Sequence, residues 1–349
     1  MRSRTLARGP QLTELGLGAA QLGNLGRETS DTDAQGAVDA AWDSGVRYFD
    51  TAPHYGLGLS ERRLGAALAR RPRSEYTVST KVGRLLVPSP ETAHRQDDGG
   101  FAVPAASRRD WDFSRDGILR SLEGSLTRLG LDHVDVVYLH DPDDHWQEAA
   151  TTGVDTLVEL RGQGVVKAVG VGMNQAAMLT EFVRRSDVDL VMVAGRHTLL
   201  DQSAREELLP LARERGVGVV AAAVYNSGLL AADRPPADAT YDYLPAPGEL
   251  IARAGALAGV CERHGVTLPE AAIAYPLRDP AVVSVVLGAR DARQSRTNAR
   301  RLAARVPDAL WAELADLGLV PDGPGAQPTP TTPTTPTTPT TPTTQGERP

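Results

Sequence analysis

Three apolar runs in the first 140 residues each close on an ionisable side chain. Val46 to Asp50 ends in a carboxylate, Tyr76 to Lys81 in an ammonium, and Val134 to Leu139 leads into His140. The segments between them carry apolar residues at three- and four-residue spacing, the period of a helix, so strand and helix alternate. In a parallel α/β barrel all strand C-termini open on one face. Asp50, Lys81 and His140, with the phenol of Tyr55 five residues beyond Asp50, are therefore expected to converge at one mouth.

The rest of the chain continues the alternation. Residues 4 to 14, turning at Gly9-Pro10, read as a hairpin at the barrel bottom before a first strand holding Leu15-Gly-Leu-Gly18. Ser30-Asp-Thr-Asp33 resembles a capping box that starts a helix through Ser44, and Ser60 is a plausible cap for the next. Gly83 to Phe113, punctuated by proline and glycine, is expected to be a long loop over the mouth. A helix at Ser114 to Leu129 precedes the strand ending at His140, and another spans Val154 to Gln163. Strands at Ala168 to Gly172, Asp189 to Val193 and Gly218 to Ala222 alternate with helices at Gln175 to Arg185 and Ser203 to Glu214. A second long loop runs from Asn226 to Gly248. Helices at Glu249 to His264 and Pro269 to Arg278 lead to an eighth strand, Val282 to Leu287, followed by helices at Asp291 to Leu302 and Pro307 to Leu317. The expected architecture is α/β: a (β/α)8 TIM barrel over 1–322 with an N-terminal β-hairpin and long top-face loops. The Thr-Thr-Pro repeat of 323–349 has no apolar face to bury and is expected to be a disordered tail without a catalytic role.

The four converging groups suit proton transfer at a carbinol. A phenol titrates near ~10, so a neighbouring ammonium is needed to stabilise its phenolate. Lys81 supplies that charge, Asp50 is its counter-ion, and His140 is able to hydrogen-bond an oxygen held beside Tyr55. Any one of them alone reads as an ordinary polar residue closing a strand. It is the set that points to chemistry.

Residues from about 6 to 320 resemble the aldo-keto reductase family. The likeness rests on Leu15-Gly-Leu-Gly18, Phe49-Asp-Thr-Ala-Pro-His-Tyr-Gly56, Ser60-Glu-Arg-Arg-Leu-Gly65, Ser79-Thr-Lys81 and Asp135-Val-Val-Tyr-Leu-His140. Within the family, Gly170-Val-Gly-Met-Asn-Gln175, Arg196-His-Thr-Leu-Leu-Asp-Gln202 and Tyr225-Asn-Ser-Gly-Leu-Leu230 are most similar to the branch of L-fucose and D-threo-aldose 1-dehydrogenases. The resemblance implies hydride transfer between a nicotinamide cofactor and a carbonyl or alcohol, with Asp50, Tyr55, Lys81 and His140 as the catalytic set. The expected substrate is an aldose oxidised at C1 to the lactone, of the L-fucose, L-galactose or D-arabinose type. Pyridoxal oxidation and general aldehyde or ketone reduction on the same site are the alternatives.

Neither Leu15 to Gly23 nor Gly170 to Gln175 follows Gly-x-Gly-x-x-Gly, so a dinucleotide has to bind by the barrel route, at the loops after strands seven and eight. Gly288, Ala289 and Arg290 stand there. By resemblance, Asn174 holds the nicotinamide carboxamide, Asn226, Ser227 and Gly228 the pyrophosphate, and Asn298 the adenine; plain loop capping is the alternative for Asn174 and Asn298. Ala194 and Ala222 replace a glutamine and a tyrosine common at the nicotinamide. Gly288 and Gln294 stand where NADP-selective relatives often carry Lys and Arg, which favours NAD, although Arg290 and Arg293 leave NADP open. Trp111, Trp146 and Tyr225 lie in or beside the long loops, where aromatic faces can stack on a sugar or simply pack.

Charge and cysteine bear on the remaining classes. A formal net charge of -7, with Lys and Arg scattered, argues against a nucleic-acid groove or a polybasic membrane patch. No secretory signal or spanning stretch is read, and the single cysteine, Cys261, leaves no intramolecular disulfide, so a cytoplasmic location is expected. His140-Asp-Pro-Asp-Asp-His145 raises a metal-dependent hydrolase as a rival, but Lys81 would put a cation among the ligands, and Asp141 to Asp144 reads more simply as a solvated loop with no metal. A non-catalytic cofactor-binding regulator is the other rival. His54, His197 and His264 read as structural or exposed. The sequence gives no oligomeric state.

Overall fold

A computed structural model describes residues 1–242, 244–321 and 323. Eight parallel strands close into a barrel in chain order. They are β1 (Leu15–Gly18), β2 (Tyr48–Asp50), β3 (Thr77–Val82), β4 (Val136–His140), β5 (Ala168–Met173), β6 (Leu190–Ala194), β7 (Gly218–Ala222) and β8 (Val282–Gly288). The ring closes where Leu287 pairs with Leu17 and Gly288 with Gly18. These strands are buried almost throughout because both faces are covered, the inner by the barrel core and the outer by helices.

The helices are α1 (Asp31–Asp43), α2 (Leu59–Leu68), α3 (Arg115–Leu129), α4 (Val154–Gly162), α5 (Ala176–Arg185), α6 (Leu208–Arg215), α7 (Gly248–Arg263), α8 (Leu268–Ala274), α9 (Ala292–Ala303) and α10 (Asp308–Asp316). Ser30 and Ser114 cap α1 and α3 by accepting from the amides of Asp33 and Gly117. Thr267 and Glu270 form a capping box on α8. The expected hairpin, Ser3–Thr5 against Gln11–Thr13, lies under the barrel. It sends Leu6 and Leu12 into the interior against Tyr48, Tyr138 and Leu190, while Arg4 donates to the carbonyls of Leu277 (2.8 Å) and Val282 (2.7 Å) at the start of β8.

Several local expectations are corrected. Gly83 to Phe113 is not loop throughout: Arg84–Pro88 and Ser107–Trp111 form an antiparallel pair in which Arg84 faces Trp111. Ser60 does not cap α2; it lies inside the helix and its hydroxyl donates to Ala19 O at 2.7 Å. The helix expected from Ser203 is broken into a 3-10 turn, Ser203–Arg205, and α6, because Pro210 is tolerated only within a first turn. Pro276 likewise ends the helix expected through Arg278, leaving α8 and a 3-10 turn. The second loop holds a 3-10 turn, Asn226–Gly228, and a short antiparallel pair, Thr240–Tyr241 with Leu244–Pro245. The tail expected over 323–349 lies outside the described residues apart from Gly323. Among the described residues no helix is long and apolar enough to cross a membrane.

Candidate active site

The barrel sets three of the four expected groups, since Asp50 and His140 end β2 and β4 and Lys81 lies one residue before the end of β3. Tyr55 sits in the turn after β2, and backbone contact fixes that turn. A Cβ on Gly23 would lie 2.6 Å from the carbonyl carbon of Tyr55, and one on Gly56 would lie 2.2 Å from Gly23 O. Only glycines permit so close an approach, and Gly56 also needs its φ of 62°.

The four groups meet. Lys81 Nζ donates to Asp50 Oδ2 at 2.7 Å, to Thr51 O at 3.0 Å and to the Tyr55 hydroxyl at 3.1 Å. The His140 ring stands 5.8 Å from that of Tyr55, nearly perpendicular to it. Lys81 and Asp50 are each 2% exposed, so each charge depends on the other. Asp50 Oδ1 accepts from Ser79 Oγ at 2.7 Å, Ser79 meets the Tyr48 hydroxyl at 3.0 Å, and Tyr48 meets the Tyr138 hydroxyl at 3.1 Å. A buried hydrogen-bonded chain thus runs from the barrel centre to Tyr55.

Burial raises the Tyr55 phenol above its ordinary range and the Lys81 ammonium pulls it back only in part, so the resting group is neutral. Burial also opposes the charge on Lys81, but Asp50 and Tyr55 more than offset it and hold the ammonium above its usual range. His140 is driven well below the ordinary imidazole range by burial and then by Arg84 and Lys81; it is a neutral ring with Nδ1 buried and unpartnered. His54, set aside in the sequence as structural or exposed, is edge-on to His140 at 5.6 Å, and burial with the nearby arginines lowers it to about 2.

The hairpin Arg84–Pro88/Ser107–Trp111 forms one wall of the mouth. Arg84 pairs with Asp141, and its guanidinium carbon lies 4.5 Å above the Trp111 ring, which is 5.0 Å from His145. Asp141 thus stays partly solvated in its loop, as expected, but carries an ion-pair partner the sequence did not show. The sequence drew attention to Asp141 only as part of a possible metal-ligand run and did not single out Arg84, because nothing in the chain shows that the two meet. The other aromatic candidates lie elsewhere: Trp146 packs on Phe182 of α5 at 4.7 Å, and the Tyr225 hydroxyl accepts from Arg301 (3.1 Å) and donates to Asn298 Oδ1 (3.4 Å).

Asn174 is exposed after β5, and its carbonyl accepts from Arg196, which bridges to Asp242 at 2.8 Å. After β7, Asn226, Ser227 and Gly228 have φ of 44°, 57° and 100°. Two successive non-glycine residues in the left-handed region mark stored strain of the kind found at ligand clamps, and Asn226 Oδ1 is buried without a partner. Gly288 ends β8 and Ala289 follows it, with Asn298 Nδ2 donating to Gly288 O at 3.2 Å. The Arg290 guanidinium does not stand free beside them. It donates to the carbonyls of Leu25 and Arg27 and to Thr29 Oγ1. Gln294 Oε1 accepts from the Arg290 amide at 2.9 Å, and the Asp291 carboxylate caps α9 by accepting from Gln294 N. Among the described residues no three His, Cys, Asp or Glu side chains cluster as metal ligands.

Residues 14–318 match the sequence profile of the Aldo/keto reductase family. The chain is 49% identical to a D-threo-aldose 1-dehydrogenase of a Pseudomonas species, covering 90% of this chain and 97% of that one. It is 38% identical to the pyridoxal 4-dehydrogenase of Microbacterium luteolum, covering 91% and 97%. Among solved structures, the holo form of an aldo-keto reductase from Bacillus halodurans superposes with a TM-score of 0.71 at 26% identity, over 91% of this chain and 96% of that one.

Proposed function

Because the chain belongs to the aldo/keto reductase family, and so is an oxidoreductase acting on CH–OH groups with a nicotinamide cofactor, we propose that it oxidises a free aldose at C1 to the lactone, using NAD. The observation that carries the site is Lys81 Nζ bridging Asp50 Oδ2 at 2.7 Å and the Tyr55 hydroxyl at 3.1 Å.

The nicotinamide, when bound, takes the hydride from the carbinol carbon or returns it. Tyr55 moves the accompanying proton: its phenolate accepts from the substrate hydroxyl in oxidation, and its neutral phenol donates in reduction. Lys81 stabilises the phenolate, and Asp50 keeps Lys81 charged and aimed. Neutral His140 orients the substrate oxygen by hydrogen bonding, its charged form disfavoured by burial and by Arg84 and Lys81. The residues after β7 fit a dinucleotide, since the left-handed Asn226-Ser227-Gly228 run carries an orphaned amide oxygen able to accept from a cofactor hydroxyl or amide.

NAD rather than NADP is supported by where the charges go. Arg290 is committed to the loop after β1, Gln294 is folded onto the Arg290 amide, and the Asp291 carboxylate already caps α9. A 2′-phosphate there would meet the negative charge of Asp291 without the Arg290 guanidinium, which leaves Arg293 as the cation to offset it. The aldose reading is supported by the 49% identical aldose dehydrogenase and by a mouth that combines an aromatic face with charged groups.

One panel tests both: kcat/KM for aldoses, pyridoxal and simple aldehydes with each cofactor. The expected order puts an aldose with NAD first. If pyridoxal or a simple aldehyde exceeds every aldose by tenfold, about 1.4 kcal/mol of transition-state preference, the aldose reading fails and the family assignment stands. A kcat/KM with NADP above that with NAD overturns the cofactor assignment.

A further inference from the structure

Asp141 follows His140 directly and turns back into the mouth. Its backbone φ of 41° lies in the left-handed region, which a non-glycine residue adopts only where its surroundings hold it there. The conformation is held at both ends: the amide donates to Gly172 O at 2.9 Å, and the carboxylate takes the Arg84 guanidinium. Arg84 is itself placed by the hairpin wall and by the Trp111 face beneath it. Asp141 Oδ2 then stands 3.6 Å from His140 Nε2, too far for a direct hydrogen bond but near enough to favour the tautomer with its proton on Nε2.

The Arg84–Asp141 ion pair leaves part of the carboxylate open towards the mouth. A carboxylate has about four acceptor sites; among the described residues Arg84 is the only hydrogen-bond donor to the Asp141 side chain, which remains 34% exposed. Arg84 Nε is buried with no partner. Acceptor capacity is thus left open beside the nitrogen that meets the substrate oxygen.

We propose that Asp141, held in place by Arg84, is a specificity-determining carboxylate that accepts hydrogen bonds from substrate hydroxyls next to the reacting carbon. A substrate whose reacting oxygen accepts from His140 Nε2 carries its neighbouring hydroxyl to Asp141 Oδ2. The favoured class is neutral and polyhydroxylated. An apolar aldehyde would cover the carboxylate without giving it a donor, and an acidic one would be repelled. Burial raises the Asp141 carboxyl against the pull of Arg84, as expected for a charge kept partly out of water. This deepens the aldose reading and rests on it for the site's orientation.

The test compares glyceraldehyde with propanal, which differ only in the hydroxyls beside the carbonyl, together with an aldose, in wild type and in Asp141→Asn and Asp141→Gly. Both replacements tolerate a positive φ, and cofactor binding, followed by fluorescence, reports the fold. Wild type is expected to favour glyceraldehyde by about tenfold or more in kcat/KM. Both variants should reduce that ratio to about threefold or less, mainly through KM. If neither variant binds cofactor, Arg84→Gln carries the test, since freeing the carboxylate should lower the same ratio and Arg84→Lys should restore part of it. A wild type without the preference, or variants that keep it, overturns the proposal. Should no aldose be oxidised while the variants still collapse the ratio, the aldose reading fails and the role of Asp141 stands; an aldose oxidised with an unchanged ratio has the opposite meaning.

Discussion

Tyr55 is a phenol under two opposed influences, and which one wins sets how each direction of the reaction depends on pH. Burial leaves it neutral at rest despite Lys81, so the reducing direction starts with its proton in place, whereas oxidation has to draw on the deprotonated fraction. The oxidation rate in single turnovers should therefore climb with pH from about 7 to about 10, and in Tyr55→Phe the climb should vanish as turnover falls by ~10²-fold or more with cofactor binding kept. A flat wild-type profile, or near-normal turnover in the variant, would remove Tyr55 as the proton carrier. Ser79→Ala probes the support behind it. Asp50 Oδ1 and the Tyr48 hydroxyl both lose a buried partner, so we expect a loss of ~1–3 kcal/mol in denaturant unfolding and a measurable fall in kcat; unchanged stability would show that water replaces the hydroxyl. At this scale the sequence was legible where a residue's place follows from its strand. Asp50 and His140 end strands and Lys81 all but ends one, and the barrel then brings them together. Asp141 was not legible, because its partner Arg84 lies 57 residues away on a hairpin that the sequence does not announce. Nor was Arg290, whose bonds to the loop after β1 span 263 and 265 residues.

Elements pack here at backbone contact, which reverses the usual sign of a common substitution. Gly65 lies in α2, where alanine would ordinarily stabilise a helix by ~0.5–1 kcal/mol. A Cβ at this position would sit 2.0 Å from Leu129 O, so α2 would have to lift off the C-terminal end of α3. The same seam carries Glu61, which accepts from Arg128 at 2.5 Å and from Thr80 at 2.9 Å. Gly65→Ala should lower stability by ~1–3 kcal/mol, read as a drop in melting temperature, and a rise would mean that the two helices part easily. Helices and barrel strands were legible because each has one period and one buried side or two. The hairpin wall was not: Arg84–Pro88 and Ser107–Trp111 contain no fully buried residue, the second strand reads Ser-Arg-Arg-Asp-Trp, and without a buried face there is no alternation to find. The helix breaks at Pro210 and Pro276 were readable in principle from the prolines alone.

For the whole molecule, three histidines are stored uncharged. Burial lowers His140 far below its usual range, His54 to about 2 and His197 to about 4, the last with Asp279 pulling upward and Arg205 downward. In the unfolded chain each takes up a proton near ~6.5. Their contribution to stability is therefore complete above that pH and declines as pH falls, by up to ~1.4 kcal/mol per unit for each ring that the unfolded state alone protonates. The melting temperature should drop between about pH 7 and about pH 5, and His197→Gln should make the slope shallower; an unaltered slope would remove His197 from the groups responsible. The barrel as a whole was legible from alternation alone, but its closure joins segments that are remote along the chain. Ser284 Oγ donates to Thr13 O across 271 residues, and β1 has β8 for one neighbour. A ribosome adding ~5–20 residues per second takes roughly 15 to 50 s to cover that interval, and throughout it one side of β1 is an open template for any passing strand. The nascent chain thus runs its longest risk of misassembly on account of its first barrel strand, and a chaperone that shelters that edge until β8 emerges would raise the yield more than any improvement to the finished core.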